Sequence, residues 1–140
     1  MQSSFPIDLL PSVSLPEGYT LRPLNSGDYS RSHLQVLSVL TLAPDPGPVA
    51  WLAQFNALGT GSYYLIVIVH ESTDKIVGTG TLLLERKFIR GLASVGHIED
   101  IAVGKEAQGK GFGKVIIQVL TELSEKLGAY KVGSSLLSLV

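Results

Sequence analysis

The sequence predicts an α/β domain built on a mixed, largely antiparallel sheet flanked by helices. Two observations carry this. The apolar positions change between strand-like and helical spacing in the order strand, two helices, three strands, helix, strand. The middle of the chain also carries a hairpin signal, in which two β-rich runs are joined by the short polar turn 71–75. At 140 residues, with 45% hydrophobic and 16% charged side chains, the chain supports one core and not two.

The elements follow in order. Residues 1–18 hold Pro6, Pro11 and Pro16 among scattered apolar side chains and read as an extended N-terminal arm. Residues 19–24 form a short strand that Pro23 confines to an edge or an end. Asn25, Ser26, Gly27 and Asp28 offer caps for a helix bearing Leu34, Leu37 and Leu40, which ends before Pro44. Pro48 opens a second helix with Trp51, Leu52, Phe55 and Leu58 on its apolar face, closed by Gly59 and Gly61. Residues 63–69 are apolar on both faces and hence a central strand, and 76–85 return beside them. Gly78 and Gly80 predict a bulge or a close backbone approach within that strand. A charged connection, 86–94, leads to a strand over 95–103. After a glycine-rich loop, a long helix carries Val115, Ile116, Val119, Leu120, Leu123 and Leu127 on one side and stops at Gly128. A further strand starts at Ala129. The domain is thus 19–132, with 133–140 a tail of different character.

Composition excludes several classes. With no cysteine there is no disulfide, thiolate nucleophile or Cys-type zinc site. No run reaches the roughly 18 apolar residues of a membrane span, and the start lacks a basic stretch ahead of an apolar block. A cytoplasmic protein is expected. The net charge of −1 argues against a nucleic-acid partner. Charge is uneven, however: residues 86–114 hold six basic and three acidic groups, a local +3 that leaves −4 for the rest. Such a field beside a glycine loop suits a small polyanion.

The loop is the chemical centre of the sequence. Gly109, Gly111 and Gly113 strip Cβ atoms from a turn entering a helix at about Gly111, where backbone N–H groups and the helix dipole favour a phosphate. Residues 104–110 match G-x-x-x-x-G-K, but Gly111 stands where a P-loop needs Ser or Thr for Mg²⁺, so no metal is expected. A dinucleotide fingerprint fails as well, because the glycines read G-x-G-x-G, late in the chain and after a hairpin. The remaining alternative without a ligand is a helix entry that happens to be glycine-rich, at roughly 0.5–1 kcal/mol of chain entropy per glycine.

Gln108-x-x-Gly111-x-Gly113 directly after a strand resembles the acetyl-CoA pyrophosphate loop, Q/R-x-x-G-x-G/A, of the GCN5-related N-acetyltransferase (GNAT) superfamily. The element order is also similar to that fold. L-P-E-G-Y-T-L-R (15–22), V-L-T (39–41), E-R-K (85–87), G-H-I-E-D-I-A-V (96–103) and Tyr130-Lys131 resemble the glucosamine 6-phosphate N-acetyltransferases within it, over roughly residues 15–131.

The resemblance implies acetyl-CoA as co-substrate and glucosamine 6-phosphate as acceptor, joined by direct attack of the amine on the thioester. It implies pyrophosphate binding at Gln108, Gly109, Lys110, Gly111, Phe112, Gly113 and Lys114. The backbone of Ile101, Ala102 and Val103 would lie along the pantetheine, and an N–H there would polarise the thioester carbonyl. As side chains alone these three read as strand core. Glu99 and Asp100, and Ile101 beside them, would adjoin the amino sugar and position its amine. Read without the resemblance, Glu99 and Asp100 are one solvated and one salt-bridged acid on opposite faces of a strand. Lys87, Phe88, Ile89 and Arg90 match the segment touching the sugar, where two cations suit a phosphate; their other reading is a solvated loop. Thr41 matches a sugar-phosphate contact, and His97 reads as structural.

After Lys131 the resemblance implies a strand with an Asp-Cys pair, an asparagine and F-Y-x-x-x-G-F, which complete catalysis and a homodimer. V-G-S-S-L-L-S-L-V stands there instead, with Leu136, Leu137, Leu139 and Val140 unable to replace those groups. The expectation is a C-terminally truncated fold with reduced or lost catalysis. Its alternative is a non-catalytic acyl-CoA-binding module.

Overall fold

The computed structural model describes residues 1–59 and 61–134. Leu136, Leu137, Leu139 and Val140 lie outside them. Five strands lie side by side in chain order: β1 (Tyr19–Pro23), β2 (Tyr63–His70), β3 (Lys75–Arg86), β4 (Ser94–Val103) and β5 (Ala129–Ser134). The first four pair antiparallel, and β5 joins β4 parallel through the long helix between them. The fold is the mixed, largely antiparallel α/β arrangement that the element order predicts.

Helices cover both faces, and a single short turn, α3 (Ile89–Leu92), lies between β3 and β4. Helix α4 (Phe112–Lys126) buries Phe112, Ile116, Val119, Leu120 and Leu123, spaced three or four apart, against Ile66, Ile68, Leu82, Leu84, Ile98 and Ile101. Helices α1 (His33–Leu37) and α2 (Pro48–Ala57) cover the other face, where Val36, Trp51 and Phe55 meet Val67, Val69, Ile76 and Ala102. Strand β2 is thereby buried on both sides, which explains its unbroken apolar run.

The first helix is shorter than its leucines predict. It ends at Leu37, and Leu40 is held by a three-residue-spaced bond to the Leu37 carbonyl. The Ser38 hydroxyl donates to the Leu34 carbonyl at 2.9 Å, a back-bond that competes with helical continuation. The cap residues also work differently. Asp28 is fully buried, accepts from both terminal nitrogens of Arg22 at 2.8 and 2.9 Å, and accepts from the Asn25 amide, so it pins β1 to the helical layer.

Residues 1–18 are docked on the core. Phe5 is buried edge-on against Tyr64, the Ser4 amide donates to Leu24, and Leu9, Leu10 and Leu15 pack on the α4 side. Lys126 donates to the carbonyls of Asp8 and Leu9. An isolated antiparallel bridge between Ser3 and Asn25 ties its start to the chain after β1, and from Pro6 onward its apolar side chains attach it.

Glycines set how closely α4 approaches the sheet. A Cβ on Gly96 would stand 2.2 Å from Ser124 Oγ and 3.2 Å from its Cβ, and that hydroxyl is buried without a hydrogen-bond partner. Gly96→Ala is therefore expected to lower stability by about 1–2 kcal/mol, largely recovered by adding Ser124→Ala. Ser124→Ala alone should be neutral or stabilising. Urea unfolding of the two single variants and the double variant checks this, and a double variant no better than Gly96→Ala would count against it.

Candidate active site

The loop after β4 is built from both ends. A single 3-10 turn, Lys105–Ala107, follows the strand, and the Gly104 amide donates to Val77 of β3 at 2.8 Å. Gly109 (φ +86°) and Gly111 (φ +78°) then adopt left-handed conformations, and α4 begins at Phe112. A Cβ at either glycine would meet nothing within 4 Å, so glycine is required there by backbone conformation, with open space in front. Phe112 faces inward, 1% exposed, and rests edge-on against Tyr19 at 4.9 Å, while Tyr19 stacks on His70. The start of β1 thus props the loop.

Among the described residues, no hydrogen-bond acceptor faces the amides of 109 to 114; the next amide, Val115, donates to Gly111. Amides without a carbonyl partner at the positive end of a fifteen-residue helix are suited to cradling an anion. Lys105, Lys110 and Lys114 are exposed around it. The Gln108 side chain does a different job from the amides. Its Nε2 donates to the Val103 carbonyl at 3.1 Å and clasps the loop to the end of β4.

Strand β4 is irregular where the two acids sit. Ala102 pairs with Thr79 and Glu99 with Thr81, so two residues, Asp100 and Ile101, oppose Gly80 alone. This is a β-bulge, with Asp100 left-handed at φ +53°. The alternation that would put Glu99 and Asp100 on opposite faces does not apply. Asp100 is the extra, exposed residue, and Glu99 lies half-buried on the face away from α4. Ile101 and Ala102 are buried in the cores on the two faces, as their side chains alone suggest.

The described ladder between β4 and β5 ends at the Ile98–Ser134 pair. Beyond it, the β4 edge over 99–102 that faces away from β3 has no ladder partner among the described residues. An unpaired edge next to an anion cradle can hold an extended amide-bearing chain whose far end is a phosphate.

The other predicted contacts lie elsewhere. Lys87, Phe88, Ile89 and Arg90 are at the opposite end of β4, roughly 30 Å from the loop at strand rise. Phe88 is 93% exposed; a single distorted turn, Ile89–Leu92, follows with Arg90 and Gly91 left-handed. The two cations have different partners: Lys87 meets Glu85 at 3.2 Å, and Arg90 lies over the Tyr130 ring. Thr41 is an exposed bend residue beyond the end of α1. His97 contacts Glu85 at 2.9 Å, a link that needs strand register to be seen.

Residues 28–136 match the model of the acetyltransferase (GNAT) family. The chain belongs to that family. It is 38% identical over 112 residues to a probable glucosamine 6-phosphate N-acetyltransferase of Drosophila melanogaster, covering 79% of this chain but about half, 51%, of that protein. It is 35% identical over 121 residues to the glucosamine 6-phosphate N-acetyltransferase of Candida albicans, covering 86% of this chain and 81% of that one. The crystal structure of glucosamine-6-phosphate N-acetyltransferase from Arabidopsis thaliana superposes with a TM-score of 0.81 at 28% identity, over 85% of this chain and 82% of that one. A Trypanosoma brucei acetyltransferase superposes at 0.79 with 38% identity, over 84% and 82%. Among the described residues no helix is long and apolar enough to cross a membrane, and no three His, Asp or Glu side chains cluster to hold a metal ion.

Proposed function

We propose that this GNAT chain transfers the acetyl group of acetyl-CoA to the amine of glucosamine 6-phosphate. The observation that carries the reading is the run of amides 109–114, without a carbonyl partner among the described residues, at the end of the same strand that presents Glu99 and the bulged Asp100. The relatives named above supply the acceptor.

In this reading the amides of Gly109 to Lys114 hold the pyrophosphate, with Gln108 keeping the loop on Val103. The β4 edge at Ile101, Ala102 and Val103 lines the pantetheine arm, and an N–H of that stretch stabilises the negative charge growing on the thioester oxygen. Glu99 and Asp100 orient the sugar, and a carboxylate of this pair accepts the ammonium proton so that nitrogen carries a free electron pair. The N–C bond then forms as the C–S bond breaks, and CoA leaves as a thiolate that takes up a proton. Attack is direct and needs no protein nucleophile, in keeping with a chain that has no cysteine. Lys87, Phe88, Ile89, Arg90 and Thr41 complete the sugar-phosphate site.

Release of the CoA thiol, followed with acetyl-CoA and glucosamine 6-phosphate together and with each omitted, tests the reading. Turnover that requires both is expected, at a rate reduced by the residues that stand after Lys131. CoA binding by calorimetry without turnover would replace the enzyme by an acyl-CoA-binding module, and absence of both would overturn the reading.

A further inference from the structure

Residues 81, 83 and 85 of β3 lie beside 99, 97 and 95 of β4, on the face opposite Leu82, Leu84 and Ile98, which fill the α4 core. Glu99, His97 and Glu85 therefore form one polar row running from the bulge toward the 87–90 turn. Glu85 is its junction. One carboxylate oxygen meets His97 Nε2 at 2.9 Å, and the other accepts from Lys87 Nζ at 3.2 Å. His97 reaches Glu85 across the strand boundary, so the carboxylate is tied to β4 as well as to its own strand.

This pairing does little for stability. Both acid and lysine are partly solvated, at 48% and 33% side-chain exposure, and such surface pairs contribute little to stability. It does fix a long side chain, whose rotamer freedom is otherwise lost only on binding. An ammonium has three donors, and Glu85 takes one, leaving two for phosphate oxygens. The His97 and Lys87 hydrogen bonds also hold the Glu85 carboxyl below its ordinary pKa, so it stays the charged acceptor.

The geometry points to Glu85 as a positioning residue: held by His97, it fixes Lys87 Nζ on the sheet face that carries Glu99, ready for the phosphate of the amino sugar. This rests on the proposed acceptor and assigns a role to two residues, Glu85 and His97, outside the expected contact set. The amine end of the sugar then lies at Glu99 and the phosphate end toward Lys87.

The test is calorimetric affinity for glucosamine 6-phosphate, alongside KM and kcat. Glu85→Gln is expected to weaken sugar-phosphate affinity roughly tenfold through lost preorganisation. CoA affinity, the thermal midpoint and the reaction with phosphate-free glucosamine should not move. Lys87→Met should weaken affinity at least as much, and Glu85→Gln added to Lys87→Met should cost nothing more. Unchanged or tighter binding in Glu85→Gln, additive losses, or equal loss with phosphate-free glucosamine would overturn the role. Wild-type binding with an unaffected Glu85→Gln removes only this inference. No wild-type binding removes it together with the acceptor assignment.

Discussion

Gly80→Ala is expected to lower stability by about 3 kcal/mol and the thermal midpoint by roughly 10 °C. A Cβ at this position would stand 2.4 Å from Ile116 Cγ2, 2.7 Å from Ile101 Cδ1 and 3.2 Å from Leu120 Cδ1. Ile116 and Leu120 are fully buried on α4 and Ile101 nearly so, which leaves the methyl nowhere to go. Relief must come from lifting α4 or pushing Ile101 outward. Either movement reaches the candidate site, because Gly80 faces the Asp100–Ile101 bulge and α4 begins at the anion cradle. The KM for acetyl-CoA should therefore rise in the fraction that remains folded. Gly78→Ala is the matched control. Its nearest neighbour is the terminal Ile116 Cδ1 at 3.3 Å, which can swing aside, so its effect should stay within about 1 kcal/mol. Melting curves for the two variants that overlay one another would refute the idea that Gly80 is where helix and bulge meet.

The strand carrying Gly80 also marks what sequence reasoning can and cannot reach. The element order, the hairpin and the helix faces follow from periodicity, because each buried face is dictated by residues close in sequence. The two strand glycines signal a bulge or close approach, and the structure contains both. The bulge itself lies in the partner strand, and its cue was available: two adjacent acids, Glu99 and Asp100, between Ile98 and Ile101 break the period of two. A strand that keeps Ile98 and Ile101 in the same core must carry one extra residue between them. Of the candidate site, the left-handed glycine turn into the long helix was legible because alternating glycines before a helix have few other physical uses. The Gln108 clasp and the Glu85 junction were not, since each joins residues through register or a single side-chain bond. The docking of the extended arm was not legible for a related reason. Its prolines are local and visible, whereas the Phe5–Tyr64 contact joins residues 59 positions apart.

Acid should weaken this fold through one buried histidine. His33 is 6% exposed between Asp28 and Trp51, whose indole N–H donates to His33 Nδ1 at 3.1 Å, and its Nε2 has no partner. Burial pushes its pKa down from 6.5 to about 4, with the Asp28 charge opposing part of the effect. The sign follows from proton counting. Between these two values the unfolded chain binds a proton at this site and the folded chain does not, so stability falls as pH falls. It is unaffected by this site above pH 6.5, declines by about 1.4 kcal/mol per pH unit below it, and levels off near the folded value. The total loss is about 3 kcal/mol, a large share of the 5–15 kcal/mol typical of a domain. His33→Gln keeps a side-chain acceptor for the Trp51 indole but cannot titrate. Urea midpoints measured from pH 7.5 to 4.5 should separate the two proteins, with wild type losing stability more steeply below pH 6.5. Parallel slopes would mean that the acid sensitivity resides elsewhere, and direct titration of the His33 ring by NMR would show whether the imidazole remains neutral below pH 5.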